Sequence, residues 1–239
     1  MNYWKLLALV GVLATSLLHT PQARAQQVNE VPGHLMIDLG VNFLQGNPNQ
    51  IDVRPIGSRA WSLSYLYPFR LKEDSHWSFN AGVGLSQDVF QFQEDVLPLY
   101  DTASINPTGA LMFDTVGNVL PASNVSKSQI TARYVNLPIE VRWELNPDYK
   151  RKNFWVAVGG SVGYRFDAMS KVVYTQGTET IKLKRKENFR LNQLRYGAQI
   201  RAGISWFSIY GRYEISPLWA PNQGPNGSGW QVGMSFDLF

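Results

Sequence analysis

The sequence predicts an all-β protein, an eight-stranded antiparallel up-and-down transmembrane β-barrel with long extracellular loops and short periplasmic turns. Three observations predict this fold. Eight segments of about ten residues alternate apolar and polar side chains, the length and period of a tilted membrane-spanning strand. The connections between these segments are alternately long and short. The polar parity of the segments carries no lysine, whereas a water-facing surface is rich in charged side chains.

The first half of the chain contains four of these segments. Alternation predicts strands over 35–43, 60–69, 77–86 and 130–145. Tyr134 breaks the parity of the fourth segment, so we expect a β-bulge near Tyr134 and Val135. Pro138 lies on the polar parity of the same strand, where it cannot donate a hydrogen bond to the ladder.

The second half contains the other four. Alternation predicts strands over 154–166, 195–204, 207–216 and 230–239. We expect the last strand to pair with the first, so that the sheet closes. Two long connections, 87–127 and 167–188, interrupt the pattern. In the first, 110–113 and 118–120 suit a small hairpin, and in the second a turn at Gln176 and Gly177 lets 172–174 pair with 180–181.

Residues 1–25 have the features of a cleavable signal peptide. Lys5 precedes an apolar run that is too short for a membrane helix, and Ala23-Arg24-Ala25 fits the small-x-small cleavage pattern. We therefore expect residues 26–239 to form the barrel domain. Removing the leader lowers the 22 basic residues to 20, against 18 acidic residues, so the charge balance does not indicate nucleic-acid binding. The absence of cysteine excludes disulfides and thiolate metal sites.

A soluble lipocalin-like barrel also has eight strands, with its apolar face inside. The distribution of lysine and aromatic side chains favours the membrane alternative. Every lysine of the mature chain lies in a predicted connection or at its edge, at positions 72, 127, 150, 152, 171, 182, 184 and 186. The apolar faces begin or end in aromatic side chains, as interfacial girdles require. These are Phe43, Trp61, Phe69, Trp77, Trp143, Phe154, Phe207, Trp230 and Phe236.

The polar parity of the strands predicts a charged lumen. Its members are Asp38, Glu140, Arg142, Glu144, Arg165, Arg195, Arg201, Arg212 and Glu214. An eight-stranded barrel is narrow enough for side chains to fill it, and buried charges must be paired. We therefore expect an arginine–carboxylate network that fills the interior. A narrow passive channel is the alternative, and it requires a continuous wet path through these charges.

The stretch Tyr134-Val135-Asn136-Leu137-Pro138-Ile139 resembles the Y-x-x-(I/L)-P-(I/L) strand of the PorT-like outer-membrane β-barrel family of Bacteroidetes. The segment 189–219 is also similar to that family, through Asn192, Arg195-Tyr196-Gly197 and Ser216-Pro217-Leu218. The resemblance implies an eight-stranded barrel integral to the outer membrane of a Gram-negative bacterium. One member of that family is linked to a secretion system, and this resemblance alone does not transfer that role.

The sequence contains few side chains in patterns that indicate catalysis or metal binding. Small barrels that hydrolyse or acylate lipids use serine, histidine and a carboxylate at the rim. The mature chain has only His34 and His76, both at the end with short turns, where we expect them in polar turns. Glu140 and Glu144 share their face with Arg142, which favours ion pairing over acid–base catalysis. We therefore expect no enzyme activity, no cofactor and no metal site.

The expected function is a structural or interaction role at the cell envelope, with a secretion assembly as one candidate partner. The basic run Lys182, Lys184, Arg185 and Lys186 suits contact with lipopolysaccharide phosphates, and a solvated strand is the alternative. The 87–127 connection carries Phe90, Phe92, Leu97, Leu99 and Tyr100. These side chains suit a lid over the barrel mouth or a site for a partner protein.

Overall fold

The computed structural model describes most of the chain between Gly33 and Leu238. The described residues are 33–45, 53–70, 72, 75–92, 96–99, 112–115, 123–146, 153–221, 223–224 and 227–238. The expected signal peptide, 1–25, lies outside the described residues, as does most of the 87–127 connection beyond Phe92.

The described residues form eleven strands. They are β1 (His34–Gln45), β2 (Arg59–Phe69), β3 (Trp77–Phe92), β4 (Val96–Leu99), β5 (Met112–Thr115), β6 (Ser123–Glu144), β7 (Phe154–Gln176), β8 (Glu179–Arg185), β9 (Leu194–Ile204), β10 (Phe207–Pro217) and β11 (Ser228–Asp237). No helix in these ranges is long and apolar enough to cross a membrane.

Eight of these strands close into an antiparallel ring. The order is β6-β3-β2-β1-β11-β10-β9-β7, and β7 pairs again with β6. The expected pairing of the first and last strands is confirmed, with Met36 opposite Asp237 and Gln45 opposite Ser228. Closure leaves no open strand edge in the barrel wall. The eight-stranded barrel fold is therefore confirmed, with β8 as an added strand and β4–β5 as a separate hairpin.

The alternating pattern places apolar side chains outside and polar side chains inside. On β6, Leu137 is 58% exposed, while its neighbour Asn136 is buried on the inner side. Exposed aromatic side chains lie at both ends of this apolar surface, for example Phe69 and Trp77 at one end and Trp61 and Phe166 at the other. An apolar band bounded by aromatic rings is what a membrane-spanning barrel presents to lipid.

We call the two ends of the barrel the turn end and the loop end. The turn end carries the short connections after β2, β6 and β9, the start of β1 and the end of β11. The loop end carries the long connections after β1, β3 and β10, together with β8. In bacterial barrels the short turns face the periplasm and the long loops face outward.

Two irregularities adapt β6 to its neighbours. The β6–β7 register shifts between Arg133 and Tyr134, because Phe166 is an extra residue on β7 between the partners Arg165 and Asp167. The expected bulge is thus confirmed at this position of the ladder, but its extra residue lies on β7. Tyr134 keeps the inward parity of Asn136 and is buried. Pro138 remains opposite Ser161 on β7, whereas the ladder between β3 and β6 passes from Ala81 to Gly84 without pairs between them. The missing donor of proline is thus accommodated by a local gap on the β3 side.

Three strands continue beyond the barrel and form the part that we call the extension. It consists of the loop-end parts of β3, β6 and β7, together with β8. The expected turn is confirmed, since Tyr174 pairs with Ile181 and Gly177 adopts a φ of +63°. The prediction that all lysines lie in connections or at their edges is wrong for the extension, because Lys127 lies in β6 and Lys171 in β7.

The small hairpin in the 87–127 connection has a different partner from the expected one. Met112–Thr115 forms β5, which pairs with β4 at Val96–Leu99. The expected partner segment 118–120 lies outside the described residues. The prediction joined segments close in sequence, whereas the structure pairs β5 with a strand twelve residues before it.

Candidate functional site

The inner parity of the barrel strands brings the predicted lumen charges to the interior. All nine side chains are buried, and they are supplied by β1, β6, β7, β9 and β10. Eight of them separate into three groups, one in the middle, one at the loop end and one at the turn end, whereas Arg165 has partners of another kind.

The middle group is centred on Asp38. Arg201 donates to both carboxylate oxygens of Asp38, at 2.6 and 2.9 Å, and the hydroxyls of Ser62 and Ser235 donate to the same group at 2.7 and 2.6 Å. The Nε of Arg201 lies 3.5 Å from Oε2 of Glu140. Five strands (β1, β2, β6, β9 and β11) therefore contribute to one group, and each residue comes from an inward position.

Arg212 lies at the edge of the middle group. Its Nη2 donates to Gln199 Oε1 at 3.2 Å and lies 3.9 Å from Oδ2 of Asp38. Arg212 thus adds positive charge to the site of Asp38 without a direct hydrogen bond. Through Arg212, the middle group also includes a residue of β10.

The loop-end group is centred on Arg195. This guanidinium donates to the carboxylate of Asp88, and also to Ser86 and Asn136, both at 2.9 Å. It also lies 3.9 Å from the centre of the Tyr134 ring, within range of a cation–π interaction. The Nε of Arg195 is 3.7 Å from Glu214. Asp88 was missed by the sequence analysis, although the alternation of Ser86, Asp88 and Phe90 continues the inner parity.

The turn-end group is centred on Arg142. It contacts Glu144 at 3.2 Å and Asp237 at 3.6 Å, and its guanidinium lies 3.8 Å from the centre of the Trp155 ring. His34 Nδ1 is 2.7 Å from Asp237. The expectation that His34 lies in a polar turn is wrong, because β1 begins at that residue and its ring faces the start of the lumen.

The second histidine, His76, also makes its contacts at the turn end. The ring of His76 makes a 2.8 Å hydrogen bond with the backbone oxygen of Glu144, and Arg70 donates to the carboxylate of the same residue at 3.1 Å. These contacts join the turn after β2 to the end of β6. Their arrangement is structural, since each side chain is occupied by a neighbouring strand.

Arg165 does not join the carboxylates. It donates to the backbone oxygens of Asn192 and Leu191 at 3.3 and 3.2 Å, and to the side chain of Asn188 at 3.2 Å. Two residues of this connection, Phe189 and Arg190, have positive φ angles of 43° and 52°. Arg165 thus holds an unusual backbone conformation over the loop end, a role that residue type and parity alone did not indicate.

An apolar cluster covers the charged interior at the loop end. We call it the cap; it consists of Phe90, Phe92, Ile130, Ala132, Tyr134, Ala168, Phe189, Leu191 and Trp219. Two members, Phe90 and Phe92, were expected in a long connection, as part of a lid or of a partner site, but they lie on β3. Phe189, Leu191 and Trp219 come from connections that the sequence analysis did not associate with the mouth. A bridge between Leu191 and Trp219 joins these two connections.

A smaller apolar cluster closes the turn end. It consists of Met36, Leu66, Trp155 and Ala157, all on inward positions. Trp155 and Met36 are almost completely buried. The middle and loop-end charged groups therefore lie between two apolar clusters, whereas the turn-end group lies level with the smaller cluster, since Arg142 pairs with Ala157 and Glu144 with Trp155. A small cavity remains beside Asp88, Arg195 and Glu214, directly below the cap.

The basic run of β8 is divided between two faces. Lys182 and Lys184 lie opposite Val173 and Lys171 on one face, whereas Arg185 lies opposite Ser170 on the other. Lys186 follows the strand and contacts Asp167 at 3.3 Å. Among the residues that the structure describes, no group of histidines and carboxylates is arranged to hold a metal ion.

A comparison with protein families agrees with this architecture. A family model described as "Outer membrane protein beta-barrel domain" matches residues 33–217. A comparison with curated proteins found no match. Two crystal structures of Ail, the attachment invasion locus protein of Yersinia pestis, are similar to the chain, the second in complex with the heparin analogue sucrose octasulfate.

The two similarities to Ail differ little. The first has a TM-score of 0.34 and 14% identity, the second a TM-score of 0.33 and 13% identity. In both, the match covers 86% of this chain and 97% of Ail. The family model spans well over half of the sequence and seven of the eight strands of the closed ring. The chain therefore belongs to the outer membrane protein beta-barrel domain family and is an integral protein of the outer membrane.

Proposed function

We propose that this protein is a closed, non-enzymatic barrel that acts as a structural or interaction protein at the cell envelope. The observation that carries the proposal is the filled interior, which contains paired charges along its length and an apolar cluster at each end. An ion crossing this interior would have to break buried ion pairs and pass the cap, both at a large cost in free energy. The working surface is then the loop end, which carries the extension and from which the long connections start.

The histidine and glutamate side chains that could support catalysis already contact other residues of the barrel. His34 contacts Asp237, and the ring of His76 contacts a backbone oxygen, both at the turn end. Glu140 receives a hydrogen bond from Asn80 at 3.1 Å and lies beside Arg201. Neither histidine is near the loop end, where an enzyme acting on surface lipids would place its base. This arrangement supports a role without catalysis.

The proposed membership of a narrower group of barrels rests on β6, the strand that carries Tyr134 and Pro138. Their spacing supports membership of the PorT-like group of Bacteroidetes barrels. In the structure, Tyr134 supports Arg195 through its ring, and Pro138 opens a gap in one ladder. A partner from an envelope or secretion assembly, bound at the loop end, is part of the same proposal.

A narrow channel is the second candidate, and one observation favours it. Both carboxylate oxygens of Glu214 are buried, and neither receives a hydrogen bond from a described residue. Buried polar atoms of this kind are commonly satisfied by water. Water beside Glu214 and Arg195 would form one part of a route for ions through the interior, although the cap lies directly above this region.

Ion conductance in planar bilayers separates the two candidates. The refolded protein without its leader is first shown to be folded by its heat-modifiable migration on gels. We expect no discrete conductance steps from the folded protein. The matched variants are Glu214→Gln in the interior and Lys72→Gln on the exposed turn after β2.

Reproducible steps in the wild-type protein contradict the closed barrel. If, in addition, Glu214→Gln changes their cation-to-anion selectivity and Lys72→Gln does not, the ions pass through the interior, and the channel becomes the function. Silent bilayers together with a heat-modifiable band support the closed barrel and direct the search to partners of the loop end.

A further inference from the structure

The outer face of the extension is strongly basic. Strand pairing defines this face, because Ile130 and Ser170 point inward, and their neighbours in sequence point outward. The outward positions of the three strands carry four lysines, which we call the lysine patch. They are Lys127 of β6, Lys171 of β7, and Lys182 and Lys184 of β8.

Cross-strand pairing brings these lysines together. Lys171 lies directly opposite Lys184, and Val173 lies between Lys182 on one side and Lys127 on the other. Residues directly opposite in an antiparallel pair have Cβ atoms about 5 Å apart, and like charges at such positions repel. A protein that retains this arrangement without a counter-ion loses stability. The arrangement therefore indicates an anion from outside the chain.

Among the described residues of the three strands, acidic side chains do not neutralise the patch. On the outward positions of β6, β7 and β8 that the structure describes in the extension, the only carboxylate is that of Asp167. This side chain already contacts Arg133 at 2.7 Å and Lys186 at 3.3 Å. The described part of these strands therefore leaves the positive charge of the lysine patch without a carboxylate partner.

The patch lies just beyond the apolar band. Tyr164 and Phe166 of β7 are exposed at the loop end of that band, and Lys171 follows Phe166 by five residues. Five residues span about 16 Å along a strand, which a tilt of about 40° reduces to a height of about 12 Å. The head-group layer is itself about 5–8 Å thick, and a lysine stem can reach back toward it. The ammonium groups of Lys171 and Lys184 thus come within reach of the lipid phosphates of one leaflet, and Lys127 and Lys182, level with Val173, extend the positive charge outward from them.

We infer that the lysine patch binds the phosphate groups of lipopolysaccharide in the outer leaflet. The loop end faces outward by the rule for bacterial barrels, and the phosphates of this lipid lie where the patch meets the membrane. The binding residues are Lys127, Lys171, Lys182 and Lys184. Arg185, which points to the other face, is not among them. The inference does not depend on whether the interior is closed.

The experiment measures binding of lipid A to the folded protein. Wild-type protein in phosphatidylcholine nanodiscs is titrated with diphosphoryl lipid A, and bound lipid is counted by native mass spectrometry. The test variant is Lys171→Gln/Lys184→Gln, and the matched control is Lys72→Gln at the exposed turn end. Each basic residue near an anionic lipid surface contributes about five-fold to binding, so the double variant is expected to lose about 30-fold in affinity. Lys72→Gln is expected to retain the wild-type affinity.

A second readout distinguishes binding from a structural role. In an uncharged detergent, removing the repulsion between Lys171 and Lys184 should leave the urea midpoint of the double variant equal to or above that of the wild type. The lipid affinity of the double variant thus falls while its stability does not. If the double variant fails to give a heat-modifiable band, Lys184→Gln alone is used, with an expected loss of about five-fold.

Three results overturn the inference. The first is unchanged lipid A affinity in the folded lysine variant, and the second is an equal loss in Lys72→Gln. The third is equal binding of lipid A from which the phosphates have been removed. Displacement of lipid A by millimolar inorganic phosphate would identify a site for free phosphate and would likewise overturn the assignment to membrane lipid.

Discussion

At the scale of single residues, the ion pair between Asp38 and Arg201 is the centre of the interior. Asp38 accepts four hydrogen bonds, and all of their donors lie on other strands. Arg201→Met removes two of these donors and leaves a buried carboxylate with serine partners. The loss in the free energy of unfolding should be about 3–5 kcal/mol, as for other buried pairs that lose one partner.

The double variant Arg201→Met/Asp38→Asn tests the reason for that loss. Once the remaining charge is neutralised, much of the stability should return, so the double variant should be more stable than Arg201→Met alone. Urea unfolding of the refolded proteins in lipid vesicles measures both values. A double variant as unstable as the sum of the two single variants contradicts an origin in the unpaired charge.

At the scale of the element, the turn between β7 and β8 depends on Gly177. Its φ of +63° is a conformation that β-branched residues rarely adopt, and a Cβ at this position would meet no other atom. Gly177→Val therefore acts through backbone strain alone and should cost about 1–2 kcal/mol. We expect faster amide hydrogen exchange in β8 and in the part of β7 that pairs with it.

The neighbouring turn residue supplies the control for this prediction. Thr178→Val introduces the same side chain at a position without a positive φ, and it should leave the exchange rates of β8 unchanged. The exchange rates of β9 to β11 should remain at wild-type values in both variants. If exchange accelerates throughout the barrel, the hairpin is not an independent unit.

The ends of the long strands show where sequence reasoning fails. The eight barrel strands were predictable because each keeps its apolar residues on the lipid side. In the extension this pattern inverts, since Phe90 and Ile130 point inward, while Gln91 and Gln129 lie on the outward parity. Strand prediction from one continuous apolar face therefore ends the strand where the apolar residues change to the inner face. The physical cause is the change of solvent from lipid to water at the membrane boundary.

The interior was only partly predictable for a related reason. Alternation assigned nine charged side chains to the lumen, and all of them lie there. The alternation did not predict which of these charges pair with each other, because ion pairing depends on the position of each residue along the barrel axis. Arg165 illustrates this, since it lies too near the loop end for the carboxylates and binds backbone oxygens of the cap instead.

At the scale of the whole molecule, the two ends of the barrel have different tasks. The turn end joins the first and last strands, and the contact between His34 and Asp237 lies where they meet. The loop end carries the cap, the extension and the lysine patch. Both the proposed partner and the proposed lipid contact require this end to face outward, so the orientation of the barrel in the membrane is the feature on which they depend.

The chain contains no cysteine, so single introduced cysteines can report this orientation without background labelling. Thr180→Cys lies on exposed β8 at the loop end, and Ser75→Cys lies in the turn before β3. In intact cells, a membrane-impermeant maleimide should label Thr180→Cys within minutes and should label Ser75→Cys only after the outer membrane is permeabilised. Because both side chains are small and lie outside the barrel wall, neither change should affect heat-modifiable migration. Labelling in the reverse order would place the extension in the periplasm, where it could contact neither the outer-leaflet phosphates nor a partner at the cell surface.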